Sequence, residues 1–308
     1  MTGLFDRKLL ILSGKGGVGK TTTAAALAMA AARRGKRVLI AQTDAIDRLN
    51  KMFGRREPIG STVVTVSPGI DAVNMTPQNA LHEYGLMVLR YETVYRALFE
   101  NRAVRGFLSA IPGLDAYAML GKTWWHTTEQ LNGRPRYDLV ILDGPATGHA
   151  VMMLRIPQAI LDTLPKGPLT NDAQAARELL SDPARTAMVI VTLPEELPVR
   201  EAIELAHTAQ NTLHIPLGPL VVNAMPSDAL AEAGVRATLN QVLPPTGDAA
   251  LDATLRLGTS VRAHRQTADQ MLARLRDDPG LPLLTFPRLA TINLGAADIA
   301  TLADRVPE

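Results

Sequence analysis

The sequence predicts a doubly wound α/β domain, a mostly parallel sheet covered by helices on both faces, with a helical insertion. Three observations predict it: short runs rich in valine, isoleucine and leucine recur along the chain, helix-length stretches separate them, and a glycine-rich turn joins the first run to the first helix. The chain has 308 residues, 46% of them hydrophobic, enough to bury one large core, so residues 1–308 are read as a single domain.

The elements follow in order. Residues 9–12 (LLIL) are a strand that runs into the turn GKGGVGK, and the stretch AAALAMAAA after it is helical by composition. Residues 37–41 give a second strand ending at Gln42, Thr43 and Asp44, and residues 62–66 and 70–73 are candidates for two more. From about residue 77 to 135 the apolar period becomes helical, marked by Leu81, Tyr84, Leu86, Leu89, Tyr95, Leu98 and Leu108 and broken at Pro112 and Gly113. This predicts a helical subdomain, with a short second part over about 155–185. Residues 137–142 (YDLVIL), 188–192 and 220–223 are further strands, Leu283 and Leu284 mark a last one, and residues 296–306 form a closing helix.

Residues 14–22 read GKGGVGKTT, which has the phosphate-loop spacing from Gly14 through Gly19, Lys20 and Thr21 and therefore predicts the P-loop NTPase fold. The chemistry asks for these residue types. Gly14, Gly16, Gly17 and Gly19 let successive backbone N–H groups of the loop, together with those of Lys15, Val18 and Thr22, point into one concavity at a helix N-terminus, where phosphate oxygens bind. Lys20 places a charge at the β/γ-phosphates, and the Thr21 hydroxyl is suited to the Mg²⁺ shell. Asp44 and Asp143 both end apolar strands at the sheet edge where ligands of open α/β folds bind. Asp143 has the form of an aspartate that holds Mg²⁺; Asp44 is placed to orient the attacking water and, with Thr21 and Asp143, is a candidate oxygen ligand. ATP and Mg²⁺ are the expected ligands.

Lys15, directly after the first glycine, marks the deviant Walker A group. Resemblance to that group implies a dimer in which this lysine reaches the partner's nucleotide, with the logic of an arginine finger. Beyond the loop, the strings TDAIDRL (43–49), DGPATGH (143–149) followed by Leu154 and Arg155, VTLPEELPVREAIEL (191–205) and VVN (221–223) resemble the ArsA family of ATPases. That family includes the arsenite-pump ATPase and the cytosolic ATPase that delivers tail-anchored membrane proteins. The resemblance implies catalytic roles for Lys15, Lys20 and Asp44, an adenine-recognising amide at Asn223, and an adenine wall at Pro282. Two departures stand out: Ala45, Ile46 and Asp47 follow Asp44 where the family's first switch reads DPAH, and Gly144 and Pro145 stand where the second switch usually has Thr and Ala. His149 matches the family but is read as a structural hydrogen-bonding residue, since no base beyond Asp44 is needed.

Composition narrows the partners. With no cysteine, thiolate metalloid and zinc sites of the kinds found in relatives are excluded. A net charge of +2 and 4% aromatics argue against nucleic acid, and the basic clusters at Arg33, Arg34, Lys36 and Arg37 and at Lys51, Arg55 and Arg56 are read as solvated loops. The opening residues lack the marks of a signal peptide or a membrane span, and the final AADIATLADRVPE lacks the basic amphipathic character of a membrane anchor, so a cytoplasmic protein is expected. Methionines at 75, 87, 119, 152 and 153 are mostly core, with a small client groove left open; of the Trp124 and Trp125 rings at least one should be exposed, because adjacent helix positions diverge. The expected protein is an ATP-hydrolysing homodimer, or heterodimer with a related chain, that switches a surface for a protein client or membrane partner. The alternatives are a nucleotide-dependent scaffold with negligible turnover, or an energiser of anion or metalloid export or of membrane-protein targeting.

Overall fold

A computed structural model describes residues 3–80, 82–83, 114–163, 165–228, 247–291 and 293–307. In chain order the main elements are β1 (Leu9–Ser13), α1 (Lys20–Arg33), β2 (Val38–Thr43), α2 (Leu49–Met52), β3 (Val64–Ser67), β4 (Ile70–Met75) and α3 (Leu114–Thr128). A small hairpin, β5 (Gln130–Leu131) and β6 (Arg134–Pro135), leads to β7 (Leu139–Asp143), α4 (Thr147–Thr163), α5 (Pro168–Ser181) and β8 (Thr186–Thr192). The chain continues through α6 (Glu196–Thr208), β9 (Leu220–Met225), α7 (Ala249–Asp277), β10 (Leu283–Pro287) and α8 (Ala296–Ala303).

Eight strands form one sheet in the order β10-β9-β8-β1-β7-β2-β4-β3. Every neighbouring pair is parallel except β3 and β4. The exception is compatible with the mostly parallel sheet expected: only Pro68 and Gly69 lie between these two, far too short a connection for a parallel crossover. Alternation along each strand feeds two cores. Leu9, Ile11, Leu39, Ala41, Val140, Leu142, Met188 and Ile190 face α3, α4, α5, α6 and α7, while Leu10, Leu12, Val38, Ile40, Ile141, Val189 and Val191 face α1, α2 and α8. The five residues of β1 are all buried, as a central strand of a doubly covered sheet requires.

On α1 the small side chains decide the packing. Ala24, Ala25, Ala26 and Ala28 are fully buried, so the helix lies close on the sheet at little side-chain entropy cost. The range 77–135, where a helical subdomain is expected, falls in part outside the described residues; those described are 77–80, 82–83, α3 and the hairpin. Glu129 joins the two, accepting from Arg136 Nη1 at 2.6 Å and lying 3.0 Å from His126 Nδ1. Burial holds the His126 pKa below the usual histidine value, with Glu129 opposing. Trp125 is exposed while Trp124 packs against the core, as the doublet predicts. Several basic residues of the surface clusters have acidic partners, with Arg33 on Asp304 at 2.6 Å, Lys36 on Asp6 at 3.0 Å and Arg37 forked on Asp138.

Candidate functional site

The site lies at the C-terminal ends of β1, β7, β8 and β9. Because β1 is flanked by β7 on one side and β8 on the other, the loop that leaves it emerges where the strand order reverses, the place where open α/β sheets leave a crevice. Gly14 begins the turn, Gly16 and Gly17 form an exposed crest, Val18 is buried as an anchor in the core, and Thr22 is buried below. Gly19 immediately precedes α1 with φ +94, and a Cβ there would overlap the Asn223 amide nitrogen, so this position demands glycine twice over. No side chain caps the N-terminus of α1, which leaves its N–H groups facing the loop for an anion.

Two cations of the loop are held differently. Lys20 Nζ donates to the Gly14 carbonyl at 3.2 Å and the Lys15 carbonyl at 3.3 Å, folded into the concavity of its own loop. Burial lowers its pKa, and Asp143 pulls in the opposite direction. Lys15 instead forms an ion pair with Glu201 on α6.

Thr21 Oγ1 donates to Asp143 Oδ2 at 2.7 Å, and Gln42 Nε2 reaches the same oxygen at 3.2 Å. Asp143 is 4% exposed. Its pKa is raised, by burial first, against the hydrogen bonds from Thr21 and Gln42 and the charge of Lys20. A buried carboxylate touching a threonine hydroxyl is a hard-oxygen pair of the kind that suits Mg²⁺. The side-chain hydroxyl of Thr147 and the side-chain amide oxygen Oε1 of Gln42 are buried with no hydrogen-bond partner, which further suits a polar ligand arriving here.

Asp44 is not in this cluster. It is exposed, has φ +46, and donates its backbone N–H to the Met75 carbonyl at 2.8 Å. With Thr43, Pro145 and His149 it lines a cavity of about 550 Å³ whose other walls are Pro77, Arg155 and apolar residues of α3 and α4, Met119, Met153 and Ile156 among them. The altered residues of its loop have structural work. Asp47 accepts from Asn50 N at 3.1 Å and Ile59 N at 2.7 Å, and Asn74 brackets Ala45 by bonding both its N–H and its carbonyl. The loop that departs from DPAH is thus pinned at two points.

Asn223 lies in the last half of β9 beside the phosphate loop and donates its side-chain amide to the Val18 carbonyl at 2.9 Å, leaving its side-chain carbonyl for a ligand. Pro282 requires a correction. Its carbonyl accepts from Leu220 N at 2.9 Å, at the start of β9 and so at the opposite end of that strand from Asn223. The β10 proline at the site edge is Pro287, paired with Met225, and the following Arg288 N–H donates to the Met225 carbonyl at 2.8 Å. Three residues here escaped the sequence: Pro287, for which the repeated proline was a signal, and Gln42 and Glu201, which only the tertiary contacts reveal. Among the described residues no cluster of three or more His, Asp or Glu side chains is placed to hold a metal, and no helix is long and apolar enough to cross a membrane.

Comparison with known proteins adds a family-level likeness. Residues 7–170 match the sequence profile of the anion-transporting ATPase family, ArsA. The ATPase BagA of Mycobacterium tuberculosis is 31% identical over 224 residues, covering 70% of this chain and 64% of that protein. An arsenical pump-driving ATPase of Escherichia coli is 29% identical over 247 residues, 73% of this chain and 41% of the relative. The ATPase GET3 of Kluyveromyces lactis is 27% identical over 230 residues, 64% of this chain and 66% of the relative. The alignments therefore span less than two thirds of the length of each of these relatives.

Proposed function

Because this chain belongs to the ArsA family of anion-transporting ATPases, we propose that it binds ATP with Mg²⁺ and hydrolyses it as a dimer, using the nucleotide state to switch a partner-binding surface. The observation that carries this is the buried Asp143 carboxylate in contact with Thr21 beneath an uncapped helix N-terminus. Asp143 and Thr21 would hold the Mg²⁺, which would neutralise phosphate charge when bound.

The loop N–H groups and Lys20 bind the β- and γ-phosphates and keep the γ-phosphorus in line with the attacking water. Asp44 accepts a hydrogen bond from that water and orients it. The water oxygen bonds to phosphorus as the bridging oxygen departs with ADP, and Lys15 of a second copy neutralises the charge that builds on the transferring group. Asn223 presents its free carbonyl to the base, with Pro287 at the neighbouring edge. Since Asp44 and His149 also line the cavity between α3 and α4, loss of the γ-phosphate would be felt by those helices. The partner is a protein client or a membrane component. A thiolate metalloid site is unavailable to these residues, which include no cysteine.

One observation favours binding without turnover: Asp44 sits on the cavity rather than with Thr21 and Asp143. The test is ATP turnover per subunit across a protein dilution series, with Lys15→Ala and Asp44→Asn beside the unaltered protein. Turnover should fall on dilution and drop by about 100-fold or more in each variant. Tight ATP binding with no turnover in the unaltered protein would establish the scaffold alternative instead.

A further inference from the structure

The ion pair between Lys15 and Glu201 joins residues 186 positions apart, and no catalytic step above uses Glu201. We infer that Glu201 is a positioning residue that parks Lys15 against its own chain until a second copy docks. This rests on the proposed role of Lys15 in trans.

Four features support it. First, the chain's own phosphate concavity is already served by Lys20, whose ammonium lies on the Gly14 and Lys15 carbonyls, so Lys15 is not needed inside it. Second, Glu201 draws the Lys15 ammonium sideways onto α6 while the crest at Gly16 and Gly17 stays open, with nothing within 4 Å of where a side chain would begin. Third, the side chains of Lys15 and Glu201 are 33% and 27% exposed. A pair so wetted is weak enough for phosphate oxygens to displace, yet it must be broken before the amine extends. Fourth, Leu197 lies one helical turn before Glu201 on α6 and is 45% exposed, and two other exposed apolar residues, Ile46 and Met152, follow β2 and β7 at the same end of the sheet. Exposed apolar residues on elements that leave this edge of the sheet fit a second copy of the same face.

Parking has a kinetic and a thermodynamic sense. It keeps a free ammonium from adding to Lys20 at the monomer's own phosphates, and it sets association against release of one ion pair per subunit. A two-fold dimer releases two. At about fivefold per pair, removal of both should tighten association by roughly 25-fold.

The experiment is sedimentation with Mg²⁺ and a non-hydrolysable ATP analogue, alongside the turnover dilution series, on the unaltered protein, Glu201→Gln, Glu201→Ala, Lys15→Ala and the double variant Lys15→Ala/Glu201→Gln. Expected is tighter association in both single Glu201 variants, half-maximal turnover at a correspondingly lower protein concentration, and no effect of Glu201→Gln once Lys15 is alanine. Equal association with and without Glu201 would overturn the latch, and so would an equal shift in the Lys15→Ala background. Tightened association with no turnover in any protein would remove hydrolysis and leave the latch standing. Monomers throughout would overturn both.

Discussion

Ala224, directly after Asn223, has φ +55, a left-handed conformation that costs an L-residue with a Cβ about 1–2 kcal/mol. Glycine relieves that cost but loses more freedom on folding, so Ala224→Gly should stabilise the protein by a net ~0.5–1 kcal/mol, read from the urea midpoint at unchanged slope. Asp44 is left-handed too, but aspartate tolerates that region far better, and the bond to the Met75 carbonyl keeps it there. Neither backbone was legible from the sequence, because left-handed conformations are announced only when glycine occupies them. Thr21 and Asp143 were legible, since the phosphate-loop spacing dictates the first and a strand that ends in a carboxylate announces the second. Glu201 was not: it sits in an ordinary amphipathic helix, and its partner is chosen by how α6 packs. Asp47 was read as a departure from a switch motif, whereas the structure makes it the anchor of its loop.

The strand ends, more than the strands, carry the site. Gly144 follows β7 and donates its N–H to the Leu12 carbonyl of β1 at 3.1 Å, where a Cβ would stand 2.6 Å from that same oxygen. The second switch is therefore seated against the base of the phosphate loop by a close approach that a side chain obstructs. Gly144→Ala should lose about 1–3 kcal/mol of stability through overpacking, measured by urea unfolding, and Gly144→Thr, which restores the residue usual in the family, at least as much. A stability equal to that of the unaltered chain would mean the two strand ends separate without cost. At this scale the sequence was informative wherever an apolar run met a polar terminus: β1, β2, β7, β8 and β9 all contain runs chosen in advance. It failed at direction. The segment PLLTFP has a proline at either end, and only the pairing of β10 with β9 shows that Pro287, not Pro282, stands at the site edge. At β3 the mostly parallel sheet that the sequence predicts has its exception, imposed by a turn of two residues.

For the molecule as a whole, the proposed cycle requires a change of assembly. A compact 308-residue chain should have a radius of gyration near 19 Å and a compact dimer about 25 Å. Small-angle scattering should therefore show a rise between those values when a non-hydrolysable ATP analogue and Mg²⁺ are added, and no rise with ADP; the same radius in both would remove the dimer from the mechanism. The doubly wound class was legible because β-rich runs and helices alternate, and the strand order was not, because periodicity carries no information about which strands become neighbours. That order has a consequence for how the protein is born. β1 is made early, yet its two neighbours are residues 139–143 and 186–192, and Asn223 comes later still. A ribosome adding about 5–20 residues per second needs about 10–40 s to travel from the end of β1 to Asn223. Until β7 and then β8 are made, the emerging chain carries a complete phosphate-loop sequence with neither neighbour of β1 beside it to shape a pocket, so competence for nucleotide arrives with those later strands rather than with the motif that names it.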